Sequence, residues 1–381
     1  MNKPFTIPKI AFIDLSAQRR RLGKRIDEAM LRVVDHGGFI LGPEVRQLEA
    51  ALSEFSGAKH AVSCANGTDA LSLVLMAKGV KAGDAVLCPS FTFAATAEVI
   101  ALVGATPVFI DVNADTFNMD PQSLKTGIME ARRKCLTPVG VIPVDLFGQP
   151  ADYDEILPIA DENGLWVMCD AAQAFGATYK GRRLGTFGMA TTTSFFPAKP
   201  LGCYGDGGAI LTDDAELAAL IRSLRVHGQG TDKYDNVRIG LNGRLDTLQA
   251  AILIEKLKIF PDELAAREKV AARYSGGLQE AASVPGVLDG CESVWAQYTI
   301  RVRPQQRDSL AAKLKERGIP TAIYYPKPLH QQTAYRHYAT AGGALPISDK
   351  LAAEVLSLPM HPYLDSETQD YIIDCVRTAL A

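Results

Sequence analysis

Lys199 is the residue of this chain whose surroundings first suggest chemistry. It lies in SFFPAKPLGCYGDGG (194–208), after an apolar strand-like run and between two prolines, and four of the next nine residues are glycine. A buried lysine loses proton affinity and becomes a nucleophile toward carbonyl groups. The alternative is a solvated lysine on a surface loop. The sequence around Lys199 therefore predicts either an amine that attacks aldehydes or an ordinary exposed side chain.

Asp170 is the second candidate, at the end of the apolar run LWVMCD (165–170). A buried carboxylate is costly unless it finds a cation or hydrogen-bond donors. One interpretation is a carboxylate that keeps the ring nitrogen of a ligand protonated, with Gln173 reaching the same ligand. The other interpretation is a helix N-cap before AAQAF.

A third candidate site is Asn66-Gly67-Thr68, which lies between a predicted strand and a predicted helix. The free N–H groups and the positive end of the helix dipole favour an anion there, and Gly67 permits close approach. Ser194, shortly before Lys199, adds a second hydroxyl. A plain helix cap remains the alternative.

These candidates together fit one ligand, pyridoxal 5'-phosphate, which carries an aldehyde, a phosphate and a ring nitrogen. Aromatic residues in PSFTFAAT (89–96) are candidates to stack on its ring face. We select Phe93 and keep Phe91 as the second choice, and core packing is the alternative for both.

The elements that must position these residues alternate between short apolar runs and longer helical segments. The runs predicted as strands are 61–64, 85–89, 107–112, 139–148, 165–170, 191–197 and 208–214. Strand–helix alternation predicts an α/β fold with a mostly parallel sheet covered on both faces. Ligand sites in such sheets lie at the C-terminal ends of the strands.

The pattern changes after about residue 245. A predicted helix at 245–257 is followed by strand-like 295–302, helical 309–318, extended 321–326 and two helices near 347–357 and 366–380. We predict an N-terminal arm at 1–40, a large cofactor-binding domain at 41–245 and a small α+β domain at 246–381.

Composition narrows the class of protein. The chain has 381 residues, 47% of them hydrophobic, and a net charge of -3, which does not favour nucleic acid as a partner. No secretory signal and no membrane span are expected. The seven cysteines are scattered without a CxxC pair, so we expect neither a metal site nor disulfides and predict a cytoplasmic protein.

The ordered motifs of the chain resemble those of the DegT/StrS sugar aminotransferase family, which has the type I fold of pyridoxal-phosphate enzymes. The motifs are ILGPEV (40–45), ANGTDAL (65–71), PSFTF (89–93), DAAQAFGA (170–177), SFFPAKPLGCYGDGGA (194–209), GLNGRLDTLQAAI (240–252) and YYPKPLH (324–330). The resemblance covers nearly the whole chain. It implies a large domain with a sheet of the seven-stranded type.

The resemblance also implies roles for individual residues. Lys199 would bind the cofactor aldehyde and move the substrate proton, and Asp170 would pair the pyridine nitrogen. Gln173 would contact the ring hydroxyl side, and the phosphate would be bound by Gly67, Thr68 and Ser194. One branch of the family has histidine at the lysine position and performs dehydration, and Lys199 argues against that branch.

Asn242 is the residue on which the family's shared active site depends. The resemblance implies that it reaches the phosphate of the neighbouring subunit, and therefore that the protein is a homodimer with composite sites. Family members usually have tyrosine after this asparagine, whereas this chain has Gly243, which opens space near the site.

The resemblance further implies the substrates: glutamate as amino donor and a keto group on a nucleotide-linked sugar. RLDTLQAAI (244–252) and SLPMHPYL (357–364) favour C3 of UDP-2-acetamido-2-deoxy-3-oxo-glucuronate, on the way to bacterial surface polysaccharide such as the O-antigen of lipopolysaccharide. Arg244 is the candidate for the uronate carboxylate, and a structural ion pair is its alternative. Tyr324 and Tyr325 are candidates for the sugar or diphosphate, although the subgroup often has histidine in place of Tyr324.

Three alternatives remain from the sequence. The first is C4 amination of a 4-keto-6-deoxy sugar nucleotide, and the second is a regulatory protein without catalysis. The third is a cysteine desulfurase-like activity, for which Cys203 lies near Lys199 but within the glycine turn.

Overall fold

A computed structural model describes residues 10–232 and 234–381, so the first nine residues of the predicted N-terminal arm lie outside the described residues. The strands are β1 His60–Cys64, β2 Asp84–Pro89, β3 Thr106–Ile110, β4 Thr137–Val141, β5 Trp166–Asp170, β6 Thr178–Tyr179, β7 Arg182–Arg183, β8 Ala190–Ser194, β9 Gly208–Thr212, β10 Cys291–Glu292, β11 Tyr298–Arg301, β12 Ala339–Thr340 and β13 Val355–Leu358.

The α-helices cover both faces of the main sheet and build the C-terminal region. They are α1 Leu15–Leu22, α2 Lys24–His36, α3 Pro43–Ser56, α4 Gly67–Ala77, α5 Ala95–Leu102, α6 Pro121–Arg133, α7 Tyr153–Glu162, α8 Ala215–Leu224, α9 Thr247–Leu257, α10 Phe260–Leu278, α11 Pro304–Glu316, α12 Pro346–Glu354 and α13 Ser366–Leu380. Among the described residues, no helix is both long and apolar enough to cross a membrane.

The main sheet has the strand order β1-β9-β8-β5-β4-β2-β3-β12. The strands from β8 to β12 run parallel, and β9 is antiparallel to both β8 and β1. Their inner residues are almost all buried, as expected for a sheet covered on both faces. Seven strands form the predicted mostly parallel sheet, and the two-residue β12 adds an eighth at its edge.

The sheet topology decides where a ligand can bind. Because parallel strands end at the same edge, the residues after β2, β5 and β8 come together there. Asp170 ends β5 and Ser194 ends β8, so the chain positions of two predicted site residues already place them at this edge.

The C-terminal region has its own core, in which Tyr274, Tyr298 and Ile372 are fully buried. The helix predicted near 347–357 ends three residues earlier than expected, at Glu354, because Val355–Leu358 forms β13 and pairs antiparallel with β11. The helix α9 packs on α2 and α3, and β12 joins the main sheet. The division of the chain at residue 245 stays a prediction.

Candidate active site

Asp170 lies at the C-terminal end of β5 and is 4% exposed. Its Oδ2 accepts a hydrogen bond from Thr96 Oγ1 at 2.9 Å, and its Oδ1 accepts one from the Ala172 N–H at 3.1 Å. Burial raises the pKa of Asp170, and these two donors and the charge of Lys199 oppose that rise. A cation at this carboxylate would stabilise its ionised form further.

Lys199 lies in a tight turn after β8, where its N–H donates to the Phe196 carbonyl at 2.8 Å. The residue is half-buried. Burial of its amine lowers the pKa to about 8, and the negative charge of Asp170 acts in the opposite direction. The lowered pKa makes the neutral amine, the form that attacks a carbonyl carbon, more abundant than in an exposed lysine.

The predicted anion site is the start of α4. Asn66 is its N-cap, and the Asn66 side chain accepts from the Asp69 N–H at 2.7 Å. The N–H groups of Gly67 and Thr68 begin the helix and have no acceptor within it. A Cβ on Gly67 would lie 2.8 Å from the Cβ of Ser194, so only glycine lets the helix start approach Ser194 this closely.

Gln173 and Tyr325 are joined although they are far apart in the chain. Gln173 Nε2 donates to the Tyr325 hydroxyl at 3.1 Å, and Gln173 Oε1 accepts from the Phe147 N–H at 2.8 Å. Burial raises the pKa of Tyr325, so the hydroxyl stays protonated. The neighbouring Tyr324 is half-buried, and its ring packs against those of Phe12 and Tyr325.

The two aromatic candidates face different surroundings. Phe93 is 58% exposed, whereas Phe91 is fully buried and packs against Phe117 and the edge of Tyr325. Phe91 is therefore a core residue, which was the alternative interpretation for it. The ring of Phe93 is accessible, and its stacking on a ligand stays a prediction.

The segment with Asn242 and Arg244 runs beside the start of α4. The Gly243 N–H donates to the Arg225 carbonyl, and the Gly243 carbonyl accepts from the Ala65 N–H, each at 3.0 Å. Asn242 is exposed and Arg244 is half-buried. Within the described chain Arg244 forms no hydrogen bond or ion pair, so the structural ion pair considered for it is absent there.

Sequence reasoning missed Thr96, which donates directly to Asp170. It is the second residue of α5 and is 1% exposed. The only signal available was its place in PSFTFAAT, the stretch already selected for its aromatic residues. A buried hydroxyl in the first turn of a helix that follows a strand of the same sheet was a candidate donor.

Cys203 does not have the properties of a catalytic thiol. It is fully buried, and its Sγ contacts the carbonyl oxygens of Phe195 at 3.0 Å and Gly205 at 3.1 Å. Burial raises its pKa to about 11. A desulfurase thiol must reach the ligand as a thiolate, and this one is both protonated and enclosed.

Three groups of the site match the three functional groups of pyridoxal phosphate. The amine of Lys199 suits an aldehyde, the buried carboxylate of Asp170 suits a protonated ring nitrogen, and the helix start at Gly67 suits a phosphate. The Asp170 carboxylate accepts two hydrogen bonds, but no cation lies in ion-pair contact with it within the described residues. A pyridinium would provide that cation.

Comparison with known proteins shows the family of the chain. The profile of the DegT/DnrJ/EryC1/StrS aminotransferase family matches residues 20–377, and the chain belongs to that family. It is 51% identical over 358 residues to the UDP-2-acetamido-2-deoxy-3-oxo-D-glucuronate aminotransferase of Pseudomonas aeruginosa, covering 94% of this chain and 96% of that protein. It is 44% identical to a pleiotropic regulatory protein of Geobacillus stearothermophilus, covering 96% of this chain and 97% of that protein.

Solved structures give the same result. A DegT DnrJ EryC1 StrS aminotransferase from Brucella abortus superposes with a TM-score of 0.96 at 52% identity, covering 98% of this chain and all of that chain. NtdA from Bacillus subtilis, solved with the bound cofactor PMP, superposes with a TM-score of 0.89 at 30% identity, covering all of this chain and 87% of that chain.

These findings confirm the predicted fold class, family and enzyme class. The chain is an aminotransferase with the type I fold of pyridoxal-phosphate enzymes, and its cofactor is pyridoxal phosphate. At the level of the family, the expected function in sugar amination is confirmed. The roles of the individual site residues stay predictions.

Proposed function

We propose that this chain transfers an amino group from glutamate to C3 of UDP-2-acetamido-2-deoxy-3-oxo-glucuronate. The assignment of the substrate rests on the 51% identity to the Pseudomonas aeruginosa enzyme, which extends over 94% of the chain. The reaction type is supported by the amine of Lys199 and the carboxylate of Asp170, which influence each other at the end of the sheet. The product would be an amino uronate nucleotide for surface polysaccharide such as the O-antigen of lipopolysaccharide.

The cofactor would be held by groups at or after the ends of four strands, β1, β2, β5 and β8. Gly67, Thr68 and Ser194 are assigned to its phosphate, Asp170 to its ring nitrogen and Gln173 to the ring hydroxyl side. Phe93, with its exposed ring, is assigned to the ring face. When bound, pyridoxal phosphate supplies the carbonyl that exchanges for the amino group and a ring that accepts electrons.

Lys199 has two tasks in this proposal. Its amine would bind the cofactor aldehyde. With substrate present, Lys199 Nζ would take the proton from the carbon that bears the amino group. A pKa of about 8 suits this task, because a base whose pKa lies near the working pH is available in both protonation states.

Asp170 acts through its charge. Its carboxylate accepts hydrogen bonds from Thr96 and Ala172, which hold it in one orientation. In that orientation it would keep the ring nitrogen of the cofactor protonated. Thr96 is therefore a positioning residue, because it contacts Asp170 and acts through it.

Arg244 is assigned to the uronate carboxylate of the substrate. Its guanidinium forms no ion pair within the described chain, and a planar guanidinium binds a carboxylate through two parallel hydrogen bonds. Tyr324 and Tyr325 are assigned to the sugar or the diphosphate. Tyr325 accepts a hydrogen bond from Gln173 and packs against Phe91.

We also propose a homodimer in the cytoplasm, in which Asn242 of one subunit reaches the cofactor phosphate of the other. Several large apolar side chains are exposed on the single chain, which supports a covered surface: Phe39, Ile40, Val237 and Ile239. Asn242 is exposed and follows Ile239 by three residues in the chain, which supports a contact with a second chain.

The experiment that tests the substrate compares two 3-keto sugar nucleotides that differ only at C6. One carries the uronate carboxylate, and the other is the UDP-N-acetyl-3-oxo-glucosamine analogue with a hydroxymethyl group. With 15N-glutamate as donor, we expect label at C3 of the uronate product. Losing a charge-assisted hydrogen-bonded pair costs roughly 10- to 150-fold in kcat/KM, so Arg244→Gln should lose that factor on the uronate and little on the neutral analogue.

Two other results would overturn the proposal. Label at C4 of a 4-keto-6-deoxy sugar nucleotide, without turnover of either 3-keto compound, would favour the C4 alternative. A purified chain that fails to take up pyridoxal phosphate would favour a regulatory role of the kind named for the Geobacillus relative. An equal loss on both sugars in Arg244→Gln would remove Arg244 from carboxylate recognition.

A further inference from the structure

The loop from Phe195 to Gly207, which carries Lys199, closes on itself. The Phe195 N–H donates to the Gly207 carbonyl, and the Cys203 N–H donates to the Phe195 carbonyl, both at 2.7 Å. Gly202 packs directly on the Lys199 turn, since a Cβ there would lie 2.5 Å from the Pro197 carbonyl oxygen. A displacement of Gly202 would therefore move the turn that holds Lys199.

A buried lysine, Lys256, holds Gly202 in place. Lys256, near the end of α9, is 1% exposed, and its Nζ donates to the Gly202 carbonyl at 2.6 Å. Its Nζ also lies 4.3 Å from the centre of the Tyr204 ring, a cation–π distance. One ammonium group therefore contacts two residues of the loop.

Burying this ammonium group is expensive. No carboxylate lies within ion-pair distance of Lys256 in the described part of the chain, although the charge of Glu263 acts on it from farther away. Burial lowers the pKa of Lys256 to about 8. An apolar side chain of similar length would fill the space without this cost, so space filling does not explain a lysine here.

Gln249, two turns earlier on α9, binds the same loop. Its Oε1 accepts from the Tyr204 N–H at 2.9 Å. The helix that supplies both side chains begins directly after the segment with Asn242 and Arg244. The same rigid element therefore supports the Lys199 loop and the segment assigned to phosphate and substrate.

We propose that Lys256, together with Gln249, is a positioning residue for Lys199: the two side chains clamp residues 202–204 so that the Lys199 amine stays in its enclosed place at the sheet edge. Neither side chain touches substrate or cofactor in this role. The inference rests on the proposed function of Lys199 and explains how this chain keeps that amine fixed before the cofactor binds.

The test uses the full-length chain after its cofactor has been removed. Lys256→Met keeps the length of the side chain and removes the donor. The matched control is Lys258→Met at the C-cap of the same helix, where an exposed lysine pairs with the buried Glu255 at 2.7 Å. Hydrogen exchange of residues 199–205 and the pH profile of trace acetylation at Lys199 are measured by peptide mass spectrometry.

We expect Lys256→Met to speed amide exchange in the loop by about 10-fold or more, the effect of losing a charge-assisted hydrogen bond. The midpoint of Lys199 acetylation should move upward from about 8 toward that of an ordinary lysine, because a loosened turn exposes the amine. Lys258→Met should change neither quantity. Should Lys256→Met not fold, Gln249→Leu provides the same test through the Tyr204 N–H.

Unchanged exchange in the loop and an unchanged acetylation midpoint would overturn the clamp, even if global stability falls. The clamp and the proposed function fail separately. Reductive labelling of a lysine other than Lys199 by the cofactor would refute the role of Lys199, whereas the exchange and acetylation results are obtained without cofactor and do not depend on it.

Discussion

Replacing Asp170 by asparagine tests the electrostatic part of the site. Asparagine has nearly the same shape, and one oxygen remains to accept from Thr96 or Ala172, but not from both through separate oxygens. The charge opposite the ring nitrogen is lost. The perturbation is therefore mainly electrostatic, in a position that is only 4% exposed.

The expected effects on the free chain and on the bound cofactor differ in sign. Burial raises the pKa of Asp170, which means that its negative charge destabilises the free folded chain near neutral pH. Asparagine should leave the melting temperature of the cofactor-free chain unchanged or raise it. A charge-assisted hydrogen bond is worth about 1.5–3 kcal/mol, so the Kd of pyridoxal phosphate should rise roughly 10- to 150-fold.

The assay is an absorbance titration of the cofactor-free variant, followed by single-turnover reaction with glutamate. Asp145→Asn is the matched control, because Asp145 is also fully buried and its carboxylate accepts from the Ala151 N–H and the Tyr153 hydroxyl. We expect this control to change stability and leave the cofactor Kd within about threefold of the original. A cofactor Kd and a single-turnover rate near normal in Asp170→Asn would refute the reasoning and leave Asp170 with only its hydrogen bonds to Thr96 and Ala172.

Three further predictions follow from single residues. Borohydride reduction of the cofactor-loaded protein should place the phosphopyridoxyl group on Lys199, and label on Lys256 would show that burial and a lowered pKa do not distinguish the two lysines. If Asn242→Ala alone is impaired, mixed dimers of Lys199→Ala and Asn242→Ala chains should regain activity toward half the normal value per dimer. No gain in confirmed mixed dimers would place Asn242 outside a shared site. Burial and then the charge of Arg267 lower the pKa of His361 to about 4. The stability that neutral His361 confers should therefore be present above its ordinary pKa of about 6.5 and be lost as pH falls through about 4. His361→Asn should flatten that loss in thermal unfolding measured from pH 7 to 4, and an unaltered pH dependence would contradict it.

Local patterns were enough to locate the main sheet and the residues at its edge. The apolar runs around β1, β2, β5 and β9 coincide with the strands to within two residues. A strand that is buried on both faces has an unbroken run of apolar residues in its sequence. Strand–helix alternation then places Asp170, Ser194 and the Lys199 turn at one edge without knowledge of any contact.

Strand pairing and side-chain direction were not available from such patterns. The run 347–357 looks helical throughout, yet its last residues form β13 because β11 offers backbone partners that only the folded chain brings near. Phe91 and Phe93 have the same chemistry and are two residues apart, and the packing of Phe117 and Tyr325 around one of them decides which is buried.

The sequence by itself determined the chemistry of this protein: which groups can attack a carbonyl, pair a ring nitrogen and bind a phosphate, since those depend on residue type and on position relative to a strand or helix end. Only the tertiary structure decided which other residues support them. Thr96 meets Asp170 across 74 residues, Gln173 meets Tyr325 across 152, and Lys256 meets Gly202 across 54. Hydrogen bonds over such separations depend on how whole elements pack, and no local periodicity records that packing.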